Sequence, residues 1–453
     1  MTAGYLARSR IVAPPGWSRW LVPPAALSIH LAIGQAYAWS VFKKPLEASL
    51  GISGVASALP FTLGIVMLGL SAALFGTKVD TIGPRWAMFV SMCCFCSGFL
   101  ISALGVSIGQ YWLVVLGYGF IGGIGLGIGY ISPVSTLIRW FPDRPGLATG
   151  IAIMGFGGGA LIAAPWSTAM LAAFGATGPR PDPGGIALTF LLHGGGYAVF
   201  MSVGWLLIRV PADDWKPAGW RPVSQLAGSL VSEGAVSARN AIKTPQFWLL
   251  WVVLCFNVTA GIGILERAAP IYLDFFPGGA GLAAAAAGFV AILSLANMLG
   301  RFVWSSTSDL IGRRNIYRLY LGIGALLYTA VTLTTNANKV VFLVCCMVIL
   351  SFYGAGFATV PAYLRDLFGT YQVGAIHGRL LTAWSTAGVL GPVIVNAIAD
   401  ARIAAGVTGP GRYTLSFSIM VGLLVTGFIC NELIRPVSRR FHEPAAAQAA
   451  TAA

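Results

Sequence analysis

Gly76-Thr-Lys-Val-Asp80-Thr-Ile-Gly83-Pro-Arg85 is a short polar turn in an otherwise apolar stretch, and it returns later in the chain as Ser308-Asp309-Leu-Ile-Gly312-Arg313-Arg314. Asp80 and Asp309 are 229 residues apart, as are Gly83 and Gly312, and Arg85 and Arg314. That spacing is close to half of the 453 residues, so the chain reads as two copies of one unit. Glycine permits a tight reversal in each copy. An Asp at a helix end with an Arg opposite forms a charge-assisted contact that opens when the two halves rock. A single copy is as well read as a solvated loop. Two copies in register favour a gating role for Asp80, Arg85, Asp309, Arg313 and Arg314.

Composition places those turns at a membrane surface. Hydrophobic residues make up 57% of the chain and charged residues 9%, with a mean hydropathy of +0.79, outside the range of soluble globular proteins. Twelve apolar stretches are long enough to span as helices: 22–42, 55–76, 86–106, 111–137, 146–175, 186–209, 247–275, 282–306, 315–334, 340–364, 375–401 and 413–434. The expected fold is all-α, twelve transmembrane helices in two pseudo-symmetric six-helix bundles. Its divisions are an N-terminal segment 1–21, a bundle 22–210, a polar linker 211–245, a bundle 246–435 and a tail 436–453. An even number of spans puts both termini on one side. Of 28 Lys and Arg, 20 fall on that side, seven on the other, and one is Arg301. By the positive-inside rule both termini are cytoplasmic, in a cell inner membrane.

The same bias accounts for the net charge of +14. A nucleic-acid partner would need a basic face with aromatics outside the membrane, and none is present. Arg8, Arg10 and Arg19 precede an apolar run long enough to span, which is read as a retained first helix rather than a signal peptide. All seven cysteines fall inside spans and read as packed thiols, not metal ligands. Four scattered histidines give no ligand or catalytic spacing, so no cofactor, metal or enzyme activity is expected. A monomer in the lipid bilayer is expected. Gly119, Gly123 and Gly127, with Gly125 and Gly129, recur every four residues and read as close helix packing, since no strand is available for a dinucleotide fold.

Arg301 closes the apolar run Leu293-Ser-Leu-Ala-Asn-Met-Leu-Gly-Arg301, eight residues before Asp309. At 1.5 Å per residue it lies about 12 Å from the turn, near the middle of the hydrocarbon. A permanent cation there needs a negative partner, and its helix supplies none, so the partner is read as an anionic substrate. By the same count Trp384, Tyr130 and Phe357 lie about 12 to 14 Å deep. Tyr353 is one turn further and Tyr37 somewhat higher. Aromatics in spans are more often packing than site, but together these suit a small carboxylate: the guanidinium pairs with its charge, tyrosine hydroxyls bond its oxygens, and the rings exclude water.

Three stretches carry a family resemblance: Gln35-Ala-Tyr-Ala-Trp-Ser-Val-Phe42, Arg139-Trp-Phe-Pro-Asp-Arg-Pro-Gly-Leu-Ala-Thr-Gly150 and Thr244-Pro-Gln-Phe-Trp248. With the repeated turn, although Thr81 and Pro84 stand where basic residues are common, they resemble the oxalate/formate antiporter family of the major facilitator superfamily. The resemblance covers the chain from the first span to the twelfth and implies the major facilitator fold. It implies that Arg301 is the carboxylate-binding arginine and that Tyr37 and Tyr130 are site tyrosines. Phe357 stands where a site tyrosine stands, and Tyr353 and Leu381 replace tryptophans. Trp384 occupies the position of a second cation, a lysine in oxalate-exchanging members.

That departure bears on the substrate. With Arg301 alone, oxalate would keep about one uncompensated charge at mid-membrane, at a cost of several kcal/mol. A monocarboxylate such as formate, lactate or pyruvate leaves no such deficit. The expected function is transport of small carboxylates by alternating access, through exchange or ion-coupled uptake. Oxalate/formate antiport is the alternative within the class, and a carboxylate-sensing receptor the alternative outside it. Protons are a candidate coupling ion. The chain resembles the monocarboxylate carriers more distantly, and where they carry an aspartate one turn before the arginine it has Asn297, which argues against proton symport at that position. Glu266 and Arg267 lie at the outer end of the seventh span, about 30 Å from its cytoplasmic end, and read as an outer-gate ion pair. His30 and His377 carry a side chain that in water titrates near neutral pH, and they read as structural before coupling residues.

Overall fold

A segment that crosses hydrocarbon must satisfy every backbone N–H and C=O within itself, so apolar runs of this length have only the helix open to them. The computed structural model describes residues 4–212, 215–219, 235–278, 282–333 and 338–444, leaving aside the side chains of 266 and 282–284. Among these, eleven helices are long and apolar enough to span, and a twelfth span comes from a pair bent by 49°, Arg19–Ala38 with Ser40–Leu50. The only β pairings among the described residues are two isolated bridges.

The first span runs through Val22–Ile33, a 3-10 segment Gly34–Ala38 and Ser40–Leu50. Spans two to six are Gly54–Ile82, Pro84–Ser107, Tyr111–Trp140, Pro145–Ala173 and Pro183–Leu207. Span seven is Pro245–Glu266, followed by a short helix Ala268–Phe275. Spans eight to twelve are Leu282–Ile311, Arg313–Leu333, Lys339–Phe368, Val373–Ala404 and Thr414–Leu433. Local sequence sets many of the ends. Proline opens spans three, five, six and seven, where its missing N–H costs nothing. Thr244 caps span seven through its hydroxyl. The repeated turns place Gly83 at φ 117° and Gly312 at φ 85°, a region that penalises any side chain.

The glycine rows of span four face two neighbours. Gly119, Gly123 and Gly127 lie against span two, and Gly125 and Gly129 against span three, so the small residues let three helices approach at once. The described stretches near both ends meet the flanks of the linker: Val12 bridges Val210, and Val236 bridges His442. Asp213, Asp214, Arg221 and Glu233 of the polar linker lie outside the described residues. The first-half spans two and five meet the second-half spans eleven, eight and ten, and this seam carries the central layer.

Candidate functional site

Arg301 sits in span eight with no exposed surface. Its Nε donates to Asn297 Oδ1 at 3.2 Å, one turn back on the same helix, and one terminal nitrogen donates to the Ile153 carbonyl of span five at 3.3 Å. Its other terminal nitrogen has no hydrogen-bond partner. No described ion pair involves Arg301, which leaves its charge balanced only by ring faces: Phe357 at 5.4 Å and Phe156 at 5.8 Å from the guanidinium carbon. Backbone makes room for the side chain. A Cβ at Gly157 would stand 2.7 Å from Arg301 Nε.

Trp384 of span eleven and Tyr130 of span four close the layer. Trp384 packs on Phe357 at 4.3 Å, Phe156 at 5.4 Å and Tyr130 at 5.4 Å between ring centroids. The Tyr130 hydroxyl and the Trp384 indole N–H are both buried without partners. Three unsatisfied donors from three spans therefore flank one ring, Phe156. An orphaned buried donor is costly unless a ligand supplies its acceptor. The layer holds unpartnered donors and ring faces, with no nucleophile or base among them.

Tyr37 and Tyr353 meet across the seam with hydroxyls 3.4 Å apart. Tyr353 packs on Phe357 at 5.3 Å and Tyr37 on Phe156 at 5.2 Å, so this pair roofs the layer on the side away from the termini. All six residues singled out from the sequence, Arg301, Tyr37, Tyr130, Tyr353, Phe357 and Trp384, belong to one connected cluster. Phe156, which touches Tyr37, Tyr130, Trp384 and Arg301, was not singled out. Its signal was present: it is the lone aromatic in the glycine run Gly155-Phe156-Gly157-Gly158-Gly159.

On the side of the termini the seam is sealed by the two copies of the turn. Asp309 accepts from the backbone N–H of Gly146 at 2.9 Å and of Leu147 at 2.8 Å, the first turn of span five. Asp80 accepts from the N–H of Ala375 at 2.8 Å, in the first turn of span eleven. Each aspartate thus caps a helix N-terminus of the opposite half, where free N–H groups and the helix dipole favour a carboxylate. Arg313 pairs with Asp309 and with Asp366 at 3.3 Å, and Arg139 lies 3.5 Å from Asp80. Thr149 and Ser305 add bonds to the Ala358 carbonyl at 2.7 and 3.0 Å.

Arg85 does not face Asp80 as the turn sequence suggested. It donates to the carbonyls of Trp205 and Leu206, and its repeat partner Arg314 donates to the Glu432 carbonyl. Both therefore close the last turn of the sixth span of their own half, where carbonyls lack helical partners. Asn297, the residue one turn before the arginine, accepts from Arg301 and helps hold its side chain in place. At the far end Arg267 bonds Asn396 and pairs with Asp400 at 2.6 Å, both on span eleven. The Glu266 side chain lies outside the described residues.

The family model of the Major Facilitator Superfamily matches residues 25–392. The oxalate:formate antiporter of Oxalobacter formigenes is 26% identical over 386 residues, 84% of this chain and 85% of that protein. Apicoplast pyruvate carrier 1 of Toxoplasma gondii is 24% identical over 427 residues, 82% of this chain and 74% of that protein. The crystal structure of the fucose:proton symporter of E. coli matches with a TM-score of 0.65 at 15% identity, covering 91% of this chain and 99% of that one, a likeness of fold alone.

Proposed function

Since the chain belongs to the Major Facilitator Superfamily, we propose that it carries small monocarboxylates, such as formate, lactate or pyruvate, across the cell inner membrane by alternating access. The bundles 22–210 and 246–435 rock about the Arg301 layer, joined by the cytoplasmic linker 211–245. The face that holds both termini is cytoplasmic, and the capped aspartates there form the inner gate. Arg267 with Asp400 belongs to the outer end.

One observation carries the substrate class: a fully buried guanidinium with an unpartnered nitrogen, beside two further orphan donors and, among the described residues of the layer, no second Lys or Arg. One charge calls for one charge. Trp384 supplies an N–H where a lysine would supply a second cation, so a monocarboxylate is neutralised while a dianion is not. One relative is named for oxalate and formate and the other for pyruvate, so both names point to carboxylates. The antiporter relative favours oxalate/formate exchange as the second reading.

Counterflow in proteoliposomes with labelled formate, acetate, lactate, pyruvate and oxalate tests both. Monocarboxylates should exchange at least about tenfold faster than oxalate, a preference worth about 1.4 kcal/mol. Faster oxalate exchange would select the second reading. Failure to move any carboxylate would point to a sensor rather than a carrier.

A further inference from the structure

His30 of the first span is fully buried and takes no part in the anion layer described above, yet both of its ring nitrogens face carbonyl oxygens. Nδ1 lies 2.7 Å from the Ala152 carbonyl of span five and Nε2 lies 3.1 Å from the Tyr130 carbonyl of span four. A neutral imidazole owns a single N–H. Whichever tautomer forms, one ring lone pair is turned against a carbonyl lone pair, and only the imidazolium donates to both. The ring also stacks on Tyr130 at 5.3 Å, with planes 21° apart, so it is coupled to a residue of the anion layer.

Among the described residues, the titratable or charged groups that face His30 are Tyr130 of span four, Arg301 of span eight and His377 of span eleven. Span five presents Gly155 and the Ala152 carbonyl, and span six meets the first span through Gly204. Arg301 is near enough to act on His30 electrostatically, and His30 on His377. No carboxylate is among these neighbours. A cation on His30 is therefore opposed by Arg301 while the guanidinium is unpaired, and that opposition is lifted when an anion sits on Arg301.

We propose that His30 is the proton site of a coupled cycle, in which a monocarboxylate on Arg301 and a proton on His30 bind and leave together. Tyr130 links the two, because its ring packs on the anion layer and its backbone carbonyl accepts from His30. The proton and the anion cross the membrane together as a neutral load. Linkage makes the coupling reciprocal, so low pH also strengthens anion binding. This inference rests on the transport reading above.

Proteoliposomes separate the two. Wild-type protein should show pyruvate counterflow at equal pH, and an inward gradient of one pH unit should raise the uptake plateau about tenfold above its value at equal pH, the thermodynamic limit for one proton per anion. In His30→Gln the plateau should fall to about that of equal pH while counterflow stays measurable. A His30→Gln plateau equal to wild type overturns the assignment, as does wild-type counterflow with no response to the gradient. Absence of wild-type counterflow for every carboxylate sinks the transport reading and this inference with it. A measurement that needs no variant is proton uptake from unbuffered solution when pyruvate is added to purified protein near pH 7. Uptake is expected, and none overturns the proposal.

Discussion

At the residue scale the protein turns on geometry around one guanidinium. Arg301 reaches Asn297 and the Ile153 carbonyl and still keeps one nitrogen unpaired, which a planar fork allows and a point ammonium does not. Arg301→Lys should therefore lower pyruvate counterflow by at least about tenfold, since charge-assisted bonds of this kind contribute about 1.5 to 3 kcal/mol. Trp384→Lys places a second cation against Tyr130 and Phe357, and it should raise the ratio of oxalate to pyruvate counterflow. An unchanged ratio would refute the single-cation argument. Gly157→Ala should weaken transport without touching a polar group, because the added Cβ meets Arg301 Nε at 2.7 Å and forces the side chain out of register. Arg301 was legible in the sequence as a cation in an apolar stretch, 282–306, that holds no acid. Phe156 was not singled out, because aromatic residues in spans usually signify packing and its four contacts come from different spans.

At the element scale the proposed gate is a helix-capping device. A carboxylate from one half satisfies the free N–H groups that open a span of the other half, so breaking the seal exposes both the charge and the helix end. Asp309→Asn removes the charge while keeping the side chain's shape. It should speed hydrogen–deuterium exchange at the Gly146 and Leu147 amides by about tenfold or more, in keeping with the loss of charged hydrogen bonds. Asp80→Asn should do the same at Ala375, and unchanged protection in both would dismiss the capping account. A Cβ at Gly374 would stand 2.7 Å from Asp80 Oδ1, and one at Gly146 2.9 Å from Asp309 Oδ1, so both caps need glycine at close approach. The two turns were visible as a repeat, and their aspartates as its charged centre. The partners were not, because a turn sequence does not say which helix end lies opposite. Arg85 and Arg314 illustrate this: each serves the end of a distant span in its own half rather than the neighbouring aspartate.

At the scale of the whole molecule, orientation is the property to test. With 20 basic residues on the face of the termini and seven on the other, reporters fused to either end should stay shielded from protease in right-side-out vesicles and become cleavable on inversion. Cleavage of either end in right-side-out vesicles would reverse the gate assignments. The number, length and polarity of the spans were written in the sequence by itself, because hydrocarbon leaves a long apolar run one backbone solution and the half-chain repeat imposes the pairing of halves. That Arg301, Tyr130, Phe357 and Trp384 share one layer was readable too, since rise per residue is fixed in a helix. Rotation about each helix axis is not fixed by depth. Only packing across the seam decided that Phe156 joins the layer, that Trp384 offers an unpartnered N–H to it, and that Asp80 and Asp309 cap spans of the opposite half. These are contacts between residues far apart in the chain, and local sequence carries no term for them.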